Sequence, residues 1–212
     1  TSLVINKIGY NLITNQAGLQ GIATSGNYVL ANDLDLTGTF TPISTFSGIF
    51  NGLGHTINNL SINDIDTGAT SAGFIRTLSS GEIRNLGLTN GTVSSTVSNV
   101  GGLVGQNQDG VIAYTFYRGS VTSTGSSVGG LVGFNQDATF AAADISHSYA
   151  LANVQGLQDV GGLVGKNNVI ELDPVTFEPV RGVRFSYSIN GTVEATNTDN
   201  GAAGGLIGDN SG

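Results

Sequence analysis

One octapeptide, repeated four times, limits what this chain can become. Val100-Gly101-Gly102-Leu103-Val104-Gly105-Gln106-Asn107 returns as Val128 to Asn135, as Val160 to Asn167, and more loosely as Ala203-Gly204-Gly205-Leu206-Ile207-Gly208-Asp209-Asn210. Ser71-Ala72-Gly73-Phe74-Ile75 is a degenerate copy. The second glycine of each copy falls at 73, 102, 130, 162 and 205, in steps of 29, 28, 32 and 43. A period in this range marks a repeat architecture, in which each unit buries its apolar face only by stacking on its neighbours.

Between the motifs lie short runs that alternate apolar and polar residues and close on a turn residue followed by Val. Ile83 to Leu88 leads to Gly91-Thr92-Val93, and Tyr114-Thr115-Phe116 to Gly119-Ser120-Val121. Ile145 to Tyr149 leads to Asn153-Val154, and Phe185-Ser186-Tyr187 to Gly191-Thr192-Val193. Alternation at period two is the signal of a half-buried strand. Helical spacing is confined to Asn15 to Ile22, where a short corner helix fits. The pattern predicts an all-β fold: a right-handed parallel β-helix, or β-solenoid, of about 28 residues and three short strands per coil, with loop insertions. One continuous solenoid is expected over residues 1–212, with leader coils over 1–70 and repeat coils over 71–212. The chain begins Thr-Ser-Leu and ends directly after a repeat motif, which reads as a piece of something longer.

Parallel stacking in register turns repeated residues into ladders. Leu103, Leu131, Leu163 and Leu206 are expected as an inward column. Asn107, Asn135, Asn167 and Asn210 are expected as a corner ladder with side-chain amides bonded along the axis. Gln106, Phe134, Lys166 and Asp209 share one position and differ in chemistry, so that position faces outward. Strict alternation then places Val104 outward, whereas a glycine bend would turn it inward. The coil length varies mainly just after the motif Asn, with inserts near 138–143 and 169–182 that should leave the same edge. The second insert carries two of the three prolines, Pro174 and Pro179.

These residues carry a resemblance. The Gly-Gly-Leu-Val-Gly-x-Asn repeats resemble the GLUG-motif repeats of large bacterial surface proteins. The leader, with Leu19-Gln20-Gly21-Ile22, Tyr28-Val29-Leu30, Asp33-Leu34-Asp35-Leu36, Phe40-Thr41-Pro42-Ile43 and Phe46 to Ile57, is similar to the segment preceding such repeats in filamentous-haemagglutinin-like exoproteins of two-partner secretion systems. The resemblance runs from about Leu19 to Asn210. It implies a parallel β-helix, secretion or display at a bacterial cell surface, export through an outer-membrane secretion pore, and a role as an adhesin stalk. Its partner would be a host-cell or surface protein or glycan. GLUG repeats also stand beside unrelated domains, secreted peptidases among them, so the motif speaks for the repeat type more than for the parent's activity. The insert after Asn167 departs from the family pattern. Within it, Glu171, Asp173, Phe177, Glu178 and Arg181 are candidate binding-loop residues.

Composition removes several function classes. The net charge is −8, and the seven Lys and Arg residues do not cluster. A nucleic-acid surface needs a basic stripe to displace counterions, so neither nucleic acid nor an anionic membrane is an expected partner. No apolar run approaches the roughly 20 residues of a spanning helix, so membrane insertion is not expected. Cysteine is absent, which excludes a disulfide framework.

Candidate chemistry is thin. Asp33 and Asp35 share a strand face, as do Asp64 and Asp66. Stacked in adjacent coils, the four carboxylates could bind Ca²⁺ or act as acid and base on a polysaccharide. The plainer reading is a solvated outer face, with no cofactor. His55 follows a Gly-Leu-Gly turn and reads as structural; His147, beside Tyr149, reads as surface filler. No Gly-x-Ser-x-Gly elbow accompanies them, and the glycine motifs lack the Lys and helix of a phosphate loop. Thr92, Ser120, Asn153 and Thr192 occupy one position as a mixed row, unlike the regular Thr array of an ice-binding face. The sequence therefore reads as a non-enzymatic interaction module, with a carbohydrate-binding or carbohydrate-cleaving β-helix as its alternative.

Overall fold

The computed structural model describes residues 2–64, 68–137, 143–169, 182–189 and 191–211. Its parallel strands stack as successive coils of a β-solenoid. The coil beginning at Glu82 shows the plan. Glu82–Arg84, Gly87–Ser95, Val100–Gly101 and Val104–Gln108 lie on four successive faces, each paired with its counterpart in the next coil. Three of these are strands of the kind the alternation predicts. The fourth, Val100–Gly101, is two residues long and lies inside the glycine motif.

In-register pairing makes the core a set of apolar columns. On the first face Phe50, Ile83, Ile112, Ile145 and Val183 stand one above another. On the second, Ile62, Val93, Val121, Val154 and Val193 do the same. Leu103, Leu131 and Leu163 are fully buried and linked along the axis by backbone bonds of 2.9 Å. Leu206 continues the column but is 37 % exposed, because no described coil covers it. Val104 is fully buried next to Leu103. The chain bends between the third and fourth faces at this point, so two consecutive side chains both point inward.

The bend explains the paired glycines. A Cβ on Gly130 would run into the Gly162 carbonyl of the next coil and lie 2.9 Å from the Ala150 Cβ. The backbone of one coil therefore rests on the backbone of the next, a contact that only glycine permits.

The motif asparagines stand inside the fourth face. Asn107 and Asn135 are fully buried, and the amides of Asn107, Asn135 and Asn167 each donate to the side-chain oxygen of the next Asn at 2.8 Å. Asn107 also closes its own turn, accepting from the Gly110 amide at 3.1 Å and donating to the Gly110 carbonyl at 2.9 Å. In the two preceding coils the same register holds Leu78 and Phe46. The column thus changes from apolar to amide where the repeat motif begins.

The leader departs from the expectation of plain coils. Ser2–Ile5 and Ile8–Ile13 form an antiparallel hairpin, turned by Asn6 and Lys7 at positive φ, and Ile8–Ile13 then pairs parallel with Asn27–Leu30. The short helix Gln16–Gln20 follows. Asn15 caps it by accepting from the Gly18 amide, and Leu19 is fully buried. An uncovered end coil would expose an apolar cross-section; the hairpin extends the first face by two strands, and the helix lays Leu19 against the apolar end. Residues 138–142 and 170–181 lie outside the described residues. Their flanks show that both segments leave the fourth face, after Val132–Gln136 and Val164–Asn168, and rejoin the first at Asp144–Ser146 and Gly182–Arg184.

Two stability predictions follow from this packing. Asn135→Ala leaves the Asn107 amide and the Asn167 oxygen without their partner, which costs about 2–4 kcal/mol in urea unfolding. Gln106→Ala, at a half-buried outward position, should cost well under about 1 kcal/mol. Gly130→Ala should cost about 3 kcal/mol or more through backbone overlap. Gly205→Ala, at the same motif position but with no atom near its Cβ, should barely move the midpoint.

Candidate functional site: an outward aromatic comb

The candidate carboxylates do not form a cluster. Asp33 lies on the surface, where Oδ1 accepts the Thr56 amide at 2.8 Å and meets His55 Nδ1 at 3.2 Å. Those contacts, the Thr56 amide first, hold its pKa below the usual carboxylate range. Their stabilising effect is present above the unfolded-state pKa and is lost as pH falls through the lower folded one. Asp35 Oδ1 accepts from the Asn58 and Asn59 amides. Asp64 is buried and grips Arg76 with both oxygens, at 2.8 and 2.9 Å. In the pairing register Asp35 faces Asn58 and Asp64 faces Ser95, so the carboxylates do not stack in adjacent coils as the calcium and acid–base readings require. Asp66 lies outside the described residues, as do Glu171, Asp173, Phe177, Glu178 and Arg181. Among the described residues no group of three or more His, Asp or Glu side chains is placed to hold a metal ion.

The structure instead assembles a feature that the sequence reading left scattered. Tyr114-Thr115-Phe116, His147-Ser148-Tyr149 and Phe185-Ser186-Tyr187 occupy the same bend between the first and second faces in three successive coils. The central hydroxyl residues turn inward and bond from coil to coil. Ser148 Oγ lies 3.1 Å from both the Thr115 amide and its hydroxyl, and the Ser148 amide donates to Ser186 Oγ at 3.1 Å. The flanking rings turn outward as two parallel columns. Tyr114, His147 and Phe185 are spaced at 4.7 and 5.1 Å between ring centroids. Phe116, Tyr149 and Tyr187 are spaced at 5.0 and 5.2 Å and lie within 9° of parallel. Arg118 lies over this second column, 5.2 Å from the Phe116 centroid, and donates to the Tyr149 hydroxyl at 2.9 Å.

The first column is held in a costly backbone conformation. Tyr114, His147 and Phe185 have φ of 54, 49 and 49°. The left-handed region costs a side-chain-bearing residue about 1–2 kcal/mol. One coil earlier the same bend is made by Asn85 at φ 52°, a residue type that tolerates it. Tyr114 is nevertheless 58 % exposed and Phe185 74 %. Large rings kept strained and in water are a site signal rather than a packing device. His147 is thus the middle tooth of a comb. The recurring aromatic–hydroxyl–aromatic triplet was the sequence signal for it.

Below Tyr114 and Phe116 the comb stops, leaving a cleft of about 400 Å³ lined by Leu53, Gly54, Asn85, Leu86 and Gly87 together with those two rings. Further along the second face Asn90, Arg118 and Asn153 line a neighbouring hollow of about 340 Å³. Thr92, Ser120 and Asn153 do form a single register row there, with Thr192 bonded to Asn153.

Comparison with known proteins places this geometry in context. Residues 124–155 match the family described as the GLUG motif, a stretch that includes one motif copy and the His147 triplet. Halomucin from Haloquadratum walsbyi is 39 % identical over 101 residues, covering 40 % of this chain and 1 % of that protein. The crystal structure of a putative immunoglobulin A1 protease from Bacteroides ovatus superposes with a TM-score of 0.70 at 21 % identity, over 94 % of this chain and 61 % of that one. The chain therefore spans only part of each relative, and the structural likeness speaks for the solenoid fold alone.

The Asp64–Arg76 pair fastens two faces of one coil, and its contribution to stability can be measured. Arg76→Met removes the cationic partner of a carboxylate whose side chain is 3 % exposed and should cost about 3–5 kcal/mol, measured by chemical denaturation.

Proposed function

We propose that this chain is a segment of a large secreted or surface-displayed protein, in which a stiff solenoid holds a ligand-binding face clear of the surface behind it. The observation that carries this reading is the comb: three coils spend backbone strain to keep six outward-turned aromatic side chains in register on a core whose buried side-chain polar atoms, among the described residues, are all hydrogen-bonded. The GLUG match and the likeness to Halomucin favour an extracellular setting and a non-enzymatic role. In finer detail the parent is a filamentous-haemagglutinin-like adhesin exported through an outer-membrane pore, and its partner is a host-cell or surface protein or glycan. The segment 170–181 and the comb are its two ligand-presenting features.

Beads coated with the 212-residue chain should attach to cultured epithelial cells or to immobilised mucin. Replacing residues 170–181 by a short Gly-Ser linker should leave the circular dichroism β-rich and lower attachment at least threefold. No attachment of the intact chain to either surface would sink the display reading.

A further inference from the structure

The cleft beneath Tyr114 is one tooth missing from the comb. In the coil below Tyr114 the bend position holds Asn85, whose amide is drawn down to the Asn51 oxygen at 3.1 Å. Under Phe116 the register position is Gly87, and the Phe116 ring leans over it into the place a side chain would take, so the open space lies under Tyr114. Leu53, one coil lower again, is 44 % exposed and forms the opposite wall. Coils repeat at about 4.8 Å, so about 9.6 Å separates the backbones that carry the two walls. Neighbouring rings in the comb take up 4.7 to 5.2 Å each. The slot therefore has room for one flat six-membered ring stacked on the free face of Tyr114.

We propose that this slot, continued across the second face past Asn90, Arg118 and Asn153, is a binding site for a glycan chain. A pyranose presents a face of C–H groups to an aromatic ring and directs its hydroxyls outward around its rim. Tyr114 supplies the ring. The hydroxyls of the following sugar would meet the Asn90 and Asn153 amides and the Arg118 guanidinium, planar groups that suit vicinal hydroxyl pairs. Arg118 also offers an acidic sugar a cation, since among the described residues it meets the Phe116 and Tyr149 rings and the Tyr149 hydroxyl and no carboxylate. Other flat ligands fit less well. A nucleobase would bring phosphates to a chain of net charge −8 without a basic cluster. A peptide that binds by adding a strand needs a free strand edge. The second-face strands Gly87–Ser95, Phe116–Ser123 and Tyr149–Gly156 are paired on both sides.

This assignment deepens the display reading and rests on it. The intact 212-residue chain is screened on an array of neutral and sialylated oligosaccharides, with unglycosylated tyrosine-rich peptides as a second arm. Binding of at least one oligosaccharide class is expected, and neutral against sialylated hits show whether Arg118 reads a carboxylate. Tyr114→Asn should weaken that binding at least tenfold while melting at the same or a higher temperature, because Asn tolerates the φ that strains Tyr. Asn85→Tyr should fill the missing tooth and abolish binding with the fold intact. If Tyr114→Asn unfolds, Asn85→Tyr alone decides. A blank oligosaccharide array overturns the assignment, as does oligosaccharide binding that survives both substitutions. Peptide binding lost in both variants, without oligosaccharide binding, assigns the slot to peptides instead. A blank array with bead attachment retained removes the glycan site and leaves the display reading standing; loss of both removes both.

Discussion

Every feature of this molecule depends on one constraint: each coil pairs with the next in parallel and in register, at the spacing of a single strand. That spacing, about 4.8 Å, allows no offset between equivalent residues. Whatever stands at a position in one coil touches its counterpart in the next. Apolar residues become columns of core, and buried asparagines bond oxygen to amide along the axis, Asn107 to Asn135 to Asn167. Where the chain bends most sharply the backbones themselves come into contact, and any residue larger than glycine is excluded.

The same constraint makes the outer face informative. A ring repeated at one bend cannot avoid its copies, so Tyr114, His147 and Phe185 stack whether or not stacking is useful. Each such contact is worth about 0.5–1.5 kcal/mol beyond burial, roughly the cost of the left-handed backbone that presents the ring. Energetically the comb is close to neutral. Asn85 makes the same bend without that strain, so packing does not explain why three rings are there.

Among the described residues, charge ties faces and coils together. Arg76 holds Asp64 across two faces of one coil, Arg184 holds Asp144 of the preceding coil through both oxygens, and Lys166 reaches Asp209 directly above it in the register. The hydrogen bond that Lys166 donates to Asp209 raises the Lys166 pKa, and those that Arg184 donates to Asp144 raise the Arg184 pKa. Carboxylates that looked free in the linear sequence, Asp33 and Asp35 among them, accept hydrogen bonds from the following coil. Among the described residues a site built from paired carboxylates therefore has no support, and the aromatic comb takes its place as the candidate.

The sequence by itself determined the architecture. A motif repeated at one-coil intervals, with period-two runs between, has one economical solution, and the spacing alone located the Leu103 column and the Asn107 ladder. Single-position patterns carried that information because register converts repetition along the chain into contact across coils. Other features were decided only by tertiary structure. Whether Val104 pointed in or out depended on the bend angle at the glycines, which alternation does not encode. The hairpin and helix at the leader answered an uncovered end, a property of the stack and not of any local run. The fate of Asp33, Asp35 and Asp64 hung on partners 12 to 24 residues away. The comb was written in three triplets separated by loops of unequal length, and His147 did not read as an aromatic tooth until the coils placed it between Tyr114 and Phe185. Side-chain alternation is local and legible in a line of residues; which faces meet, and what is left open between them, is fixed only when the coils close.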